Sequence, residues 1–475
     1  MDSNPADEFD ALASRLGQRL GEARRAVHTT QCDLARRTYV DRSYVSHAEH
    51  GRFVPERKFW VLTDDHLGAN GTLIAAYDQF DTIRQARKQA ELDALRGRHQ
   101  VAVAAARTVV PPERDLTRFG RDPAGTTALL RDLVEATDVD RRHFLLLTGG
   151  ALTGFAHDWL FDPATVGEAL AGKRVGHTEV DGLNQIADIR RKLHDTVSAR
   201  DLLPPAQTDL RLVVRILESA TYSDEVGTRL YATAAEFARM AGILAFENGE
   251  HAAAQHYLLA GLRAAHLSGD RTLGANILVS LAAQANELDR PGDGVRLTES
   301  ALMAAKELTP AVAARVNGHL AEASSRLGDT TTADRVIGRV FDLTAASDPV
   351  AEPSWIYWWS ATHAEGFAGR VALMADRPQQ AEQHFLSTVV GLDPATYPQD
   401  RAANLYRLAT ARLRLGEVEG ACHTAAEAAA ITRDLASERL RSQLRDFRRT
   451  AQPHASSVAV RNFDTHTADL LHIGG

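Results

Sequence analysis

The 475-residue sequence predicts an all-α protein: an N-terminal five-helix domain containing a helix-turn-helix, then an α-solenoid of helical hairpins. Two observations carry this. Between Thr29 and Gly51 two short helices are each opened by a capping residue and separated by a tight turn. Beyond Tyr231 a spacing of small residues and turn residues recurs five times, which is how stacked two-helix units look in sequence. The length exceeds what one compact core organises and calls for two or three domains.

The chain opens acidic and polar through Asp10; residues 1–12 are expected to be disordered, with no signal-peptide pattern. The helix-turn-helix domain is assigned to residues 13–80. Thr30 N-caps a helix with Asp33 in its first turn, and Leu34-Ala35-Arg36 continue it. Thr38-Tyr39-Val40 is β-branched and aromatic, suited to a turn anchored by a buried Val40. Asp41 caps a second helix that runs to about His50, and Gly51 supplies the left-handed position that ends it.

At about 100° per residue, Arg42, Ser43, Ser46 and His47 share an arc of roughly 140°, and Tyr44, Val45 and Ala48 fall on the opposite, core-facing side. A helix with one hydrogen-bonding face fits the DNA major groove, about 12 Å wide. Arg42 is suited to a bidentate bond with guanine, Ser43 and His47 to base or phosphate contacts, and Gln31 to a backbone phosphate. Between Ser14 and Trp60 there are ten Lys and Arg against five Asp and Glu, in a chain of formal charge −8. A basic module on an acidic body points to local phosphate contact.

The run LGQRLGEARRAVHTTQCDLARRTYVDRSYVSHAEHGRFVP resembles the Cro/CI-type (XRE-family) helix-turn-helix domain of phage repressors and bacterial regulators, over about Leu16 to Tyr77. Gln31 opens the second helix, Leu34-Ala35 pack it, the third reads SYVSHAEHG, and Pro55 stands at the start of a fourth. The resemblance implies DNA contacts from Gln31, Arg42, Ser43 and His47, with Tyr44 and Ser46 near the backbone, and a structural ion pair between Arg24 and Glu49. Two residues depart from the family pattern: His28 where many members have glycine, and Ala48 in place of a larger aliphatic residue.

Residues 81–177 read as a linker helix and connector region. One continuous helix is expected from about Gly71 to Arg96; Leu73, Tyr77 and Phe80 complete the first domain, and the charge-dense part beyond Arg84 is a solvated linker or a dimer contact. Pro111-Pro112 mark an exposed hinge. The segment Asp140 to Gly154, Arg-Arg before an apolar run, imitates an export signal but is internal and shorter than the ~20 residues of a membrane span, so it reads as a buried, glycine-bent helix.

In the C-terminal half a small residue is followed seven positions later by a Gly or Asp turn, and five further on by Ala or Gly. The five instances are Gly242-Gly249-Ala254, Ala282-Asp289-Gly294, Ala321-Gly328-Ala333, Gly369-Asp376-Ala381 and Ala409-Gly416-Ala421, with turns 40, 39, 48 and 40 residues apart. Small residues are needed where paired helices approach closely, and Gly or Asp marks the turn between them. The pattern resembles a tetratricopeptide-type array over roughly Tyr231 to Gln443, within a solenoid assigned to 178–450 and followed by a tail at 451–475. Thr178 to Leu230 is a degenerate repeat or a cap. The long fourth interval holds Trp355, Tyr357, Trp358 and Trp359, which serve either as core or as an anchor for a ligand or partner.

The two cysteines, Cys32 and Cys422, supply neither a disulfide framework nor a zinc site. No phosphate loop, nucleophile elbow, HExxH pair or CxxC occurs, so no catalytic residue, metal or cofactor is expected. The layout is similar to actinobacterial regulators of development and secondary metabolism and to peptide-responsive regulators of other bacteria. It implies a cytoplasmic transcriptional regulator, homodimeric on double-stranded DNA and away from membranes. Its repeat array senses a peptide, small ligand or protein partner. The competing class is an interaction scaffold whose helix-turn-helix is not used on DNA.

Overall fold

A computed structural model describes residues 5–51, 53–84, 86, 116, 119–136, 146–158, 169–170, 174–304, 308–435 and 437–472. The protein is all-α apart from one two-residue strand pair, and it divides into two compact units, Met1–Gly97 and Arg98–Gly475.

In the first unit α1 (Pro5–Ala26), α2 (Gln31–Thr38), α3 (Arg42–Glu49) and α4 (Arg57–Leu67) are followed by α5 over 72–84. Thr30 caps α2 by accepting from Asp33 N at 3.1 Å, and Asp41 caps α3 by accepting from Tyr44 N at 2.7 Å. Leu16, Leu20, Leu34, Val45, Phe59, Trp60, Leu73, Tyr77 and Phe80 form one core. Trp60 buries its ring against Tyr77 and donates Nε1–H to the Pro55 carbonyl at 3.0 Å, so its polar edge is satisfied. Asp64, inside α4, caps the next helix: its carboxylate accepts from Gly71 N and Leu73 N at 2.6 and 2.8 Å.

Residues 5–12, expected to be disordered, form the first turns of α1. The expected 71–96 helix is observed over 72–84; residues 87–96 and the Pro111-Pro112 hinge lie outside the described residues. At the end of α2 the buried residue is Thr38, whose hydroxyl bonds the Leu34 carbonyl at 2.8 Å; in the turn that follows, Val40 is half-buried and Tyr39 is 88% exposed.

The second unit begins with α6 (Pro123–Glu135), α7 (Gly149–Asp158), α8 (His177–His194) and α9 (Ala199–Ser219). The strands β1 (Ala169–Leu170) and β2 (Thr221–Tyr222) pair antiparallel between them. Five hairpins follow in chain order: α10 (Asp224–Glu247) with α11 (His251–Ser268), α12 (Arg271–Glu287) with α13 (Pro291–Leu302), α14 (Pro310–Arg326) with α15 (Thr330–Ala345), α16 (Ala361–Met374) with α17 (Pro378–Gly391), and α18 (Pro398–Arg414) with α19 (Val418–Leu435). Then come α20 (Glu438–Ala451), α21 (Val458–Thr467) and α22 (Asp469–His472).

Every turn residue of the recurrent pattern adopts a left-handed backbone: Gly249, Asp289, Gly328, Asp376 and Gly416 have φ of 80°, 57°, 82°, 55° and 82°. The small residues lie where the helices of a hairpin meet. A Cβ on Gly242 would come within 2.7 Å of Leu258, and one on Gly369 within 2.6 Å of the Phe385 ring; Ala254, Ala282, Ala321, Ala333, Ala381, Ala409 and Ala421 have no exposed surface.

Two boundaries move. The described part of the connector from Leu116 onward is built into the second unit: Leu116, Leu129, Leu133 and Phe155 share a core with the first two hairpins. Tyr231 donates to the Pro123 carbonyl at 2.9 Å, Gln255 brackets the Leu147 backbone at 2.5 and 2.9 Å, and Arg263 holds the Leu116 and Phe119 carbonyls at 3.2 Å. Within 140–154, residues 140–145 lie outside the described residues and 146–148 are not helical. The helix begins at Gly149, whose φ of 58° makes it the start of α7 rather than a bend. The described part of the tail, 451–472, is also part of the fold. Val460 and Phe463 of α21 are buried, and Phe463 meets Phe447 edge-on at 5.2 Å.

Candidate functional site

In the first unit the site is the outer face of α3. Its orientation is fixed by one carboxylate. Glu49, at the end of α3, accepts from Arg24 Nε and Nη2 at 2.5 and 2.9 Å and from Gln31 Nε2 at 2.8 Å, which ties α3 to α1 and to the start of α2. Burial would raise the Glu49 carboxyl; the Arg24 and Gln31 hydrogen bonds outweigh it and hold it below the usual carboxylate range. Gly17 lets α1 pass close to the end of α3, since a Cβ there would sit 2.3 Å from the Ala48 carbonyl oxygen. His28, at the position many members of the resembling family give to glycine, takes φ of 52° and bends the chain between α1 and α2 all the same.

With α3 so held, Arg42, Ser43 and His47 are exposed, Ser46 is half-buried, and Val45 and Ala48 are buried. Among the described residues Arg42 has no hydrogen bond or ion pair, while Ser43 donates to Asp41 at 2.5 Å. Two residues expected to meet DNA have partners within the unit. The Gln31 amide gives one N–H to Glu49. The Tyr44 ring packs inward against Phe53 and Phe59, with centroids at 4.6 and 5.7 Å, on the side that helical periodicity assigns it.

The second unit contains a cavity of about 580 Å³. Its wall comes mainly from the first helix of each hairpin, at matching distances before the turn. Met240, Ser280, His319, Phe367 and Arg407 stand nine residues before their turns, and Ile243, Ala283, Glu322, Arg370 and Thr410 six before. Asn276, Arg315 and His363 stand thirteen before. Sequence reading missed these residues because it followed the small residues that close each hairpin; the polar positions in the same repeat frame carried the signal.

Of the aromatic cluster, Trp355, Tyr357 and Trp358 line this cavity, and Tyr357 donates to Asp195 at 2.5 Å. Trp359 is not part of the wall: it packs on Ala314, Val340 and Ala364 and donates Nε1–H to Thr344 at 3.1 Å. The cluster therefore divides between cavity and core.

The cavity is densely charged. Glu322 lies 3.4 Å from Arg326 and 3.2 Å from Arg370; burial would raise its pKa, but the charge of Arg370, with that of Arg326, brings it down to about 2. His319 is pushed by burial down to about 3 and stays neutral. Arg439 pairs with Glu287 at 3.2 Å, and Arg191 and Arg239 share Glu236 at 2.6 and 2.7 Å. Arg315 and Arg407 have no carboxylate within ion-pair distance among the described residues. Arg315 donates to Asn276 and lies over the Trp358 ring, 5.2 Å from its centroid, and Arg407 reaches only Asn404, at 3.5 Å. Desolvation and neighbouring arginines lower both guanidinium pKa values to about 9.

Among the described residues no cluster of His, Cys, Asp and Glu could hold a metal ion, and no helix is long and apolar enough to cross a membrane. No protein-family model matches the chain, and no curated protein matches its sequence.

Proposed function

We propose that this chain is a sequence-specific DNA-binding transcriptional regulator, with α2 and α3 as a Cro/CI-type helix-turn-helix and the five hairpins as a tetratricopeptide-like, ligand-sensing solenoid. The observation that carries the reading is the Arg24–Glu49–Gln31 network. It spends the polar groups at the helix junction on one another and leaves Arg42, Ser43 and His47 outward on a single exposed face. An unpaired arginine at the N-terminal end of a short exposed helix matches the residue type and position that bond guanine O6 and N7 in a major groove. The local excess of positive charge supplies the phosphate attraction such binding needs.

On this reading a cytoplasmic homodimer sets two α3 helices in successive major grooves about 34–36 Å apart on a pseudo-palindromic operator. A ligand in the hairpin unit would change DNA affinity by its differential affinity for two dimer arrangements. The test is capture of genomic fragments by the purified full chain at near-physiological salt, with Arg42→Ala in parallel. Enrichment of a short palindrome that disappears in the variant supports the reading. Equal, unselective capture by both proteins refutes it and favours the interaction scaffold.

A further inference from the structure

We propose that the cavity of the hairpin unit takes a small organic anion, a carboxylate or phosphate carried on an aromatic or apolar body, whose charge is met by Arg315 and Arg407. This deepens the reading of the hairpins as a sensing unit and rests on it. Every other arginine on the cavity wall has a carboxylate partner. Arg315 and Arg407 stand on the first helices of two different hairpins, α14 and α18, and both open onto the same cavity.

A guanidinium removed from bulk water without a counter-charge is destabilising, and an apolar residue in its place would cost the fold less. Two of them facing one space form an incomplete ion pair that an anion completes. Arginine is the suitable group, because its planar fork meets carboxylate and phosphate oxygens two at a time. The wall also provides a place for the rest of the molecule. Trp358 already offers its face to Arg315, and Phe367 and Trp355 line the same space. A volume of about 580 Å³ lies within the roughly 300–1,000 Å³ of small-molecule sites.

The test is the thermal midpoint of the full chain, without DNA, at constant ionic strength in chloride, with three probes: inorganic phosphate, indole-3-acetate and the neutral indole-3-acetamide. A ligand that binds only the folded state raises the midpoint with its concentration. Indole-3-acetate is expected to raise it and the amide to leave it unchanged; a response to phosphate as well assigns phosphate esters to the ligand class, and its absence restricts the class to carboxylates. Arg315→Gln and Arg407→Gln should match or exceed the wild-type midpoint without probe, since each removes a desolvated charge that no carboxylate contacts directly. Each should weaken indole-3-acetate roughly tenfold or more. Arg407→Lys keeps the charge and should retain part of the affinity. Equal affinity for acid and amide, no response to either anion, or a lower probe-free midpoint with unchanged anion affinity in both glutamine variants would overturn the proposal. Because no DNA is present, these outcomes are independent of whether α3 reads an operator.

Discussion

Glu49 holds Arg24 in a two-pronged ion pair across 25 residues of sequence, and the two side chains keep only 8% and 12% of their surface. The pair joins the first helix of its unit to the end of the third. With Gln31 on the same carboxylate, it fixes the pitch of α3 relative to α2 and thereby which α3 side chains face outward.

Removing one partner of a pair this enclosed leaves the other charge without a partner. Glu49→Gln should destabilise the first unit by about 3 kcal/mol, read as a lower denaturant midpoint. The pH dependence has a definite sign. The Glu49 carboxyl is held below its ordinary value of 4.5 in the folded state, so its contribution is complete above that value and is lost as pH falls below it. In the Gln variant, stability of the first unit should fall less on acidification; unchanged steepness below pH 4.5 would show that the pair contributes no such term.

Arg42→Ala should cost about 1–3 kcal/mol on a preferred operator and relax the choice of base at one position, with little change in the salt slope. A uniform loss on all sequences, with the slope reduced by about one, would reassign Arg42 to a phosphate contact. Competition binding on single-base operator variants at two salt concentrations separates the two.

The sequence made legible what local chemistry determines. Thr30 and Asp41 as caps, Gly51 at positive φ and the five turn residues all act within a few positions of themselves. Long-range partners were not legible. Nothing near Asp64 announces that it caps the following helix, nothing near Gln255 that it brackets Leu147, and nothing near Gln31 that its amide meets Glu49. The connector and tail were misjudged for a related reason. Their apolar residues are too sparse to predict a core alone, and they become buried only against hairpins distant in sequence.

The close approaches within hairpins predict opposite effects for two glycines. Gly369→Ala places a Cβ 2.6 Å from the buried Phe385 ring and should destabilise by about 1–3 kcal/mol through overpacking. Gly338 is exposed in the middle of α15 with nothing within 4 Å of such a Cβ. There the same change should stabilise by roughly 0.5–1 kcal/mol, because alanine loses less chain entropy in a helix. Urea unfolding of the two variants gives the comparison, and equal effects would mean that packing at Gly369 is not tight.

The turns separate backbone strain from side-chain contact. Gly328 has φ of 82° in open space, so a Cβ there would touch nothing and the cost of Gly328→Ala is conformational alone. That cost should be about 1–2 kcal/mol. Asp376 takes φ of 55° at the equivalent turn, and its one ion pair, with Arg414 at 3.5 Å, is on an 87% exposed carboxylate. Such a pair contributes little. Asp376→Gly relieves the left-handed strain of a residue with a Cβ but adds freedom to the unfolded chain. Because aspartate tolerates the left-handed region better than most residues, the two terms should nearly cancel and leave stability within about 0.5 kcal/mol of wild type. A loss near that of Gly328→Ala would show that the aspartate side chain, rather than the backbone it permits, closes the fourth hairpin.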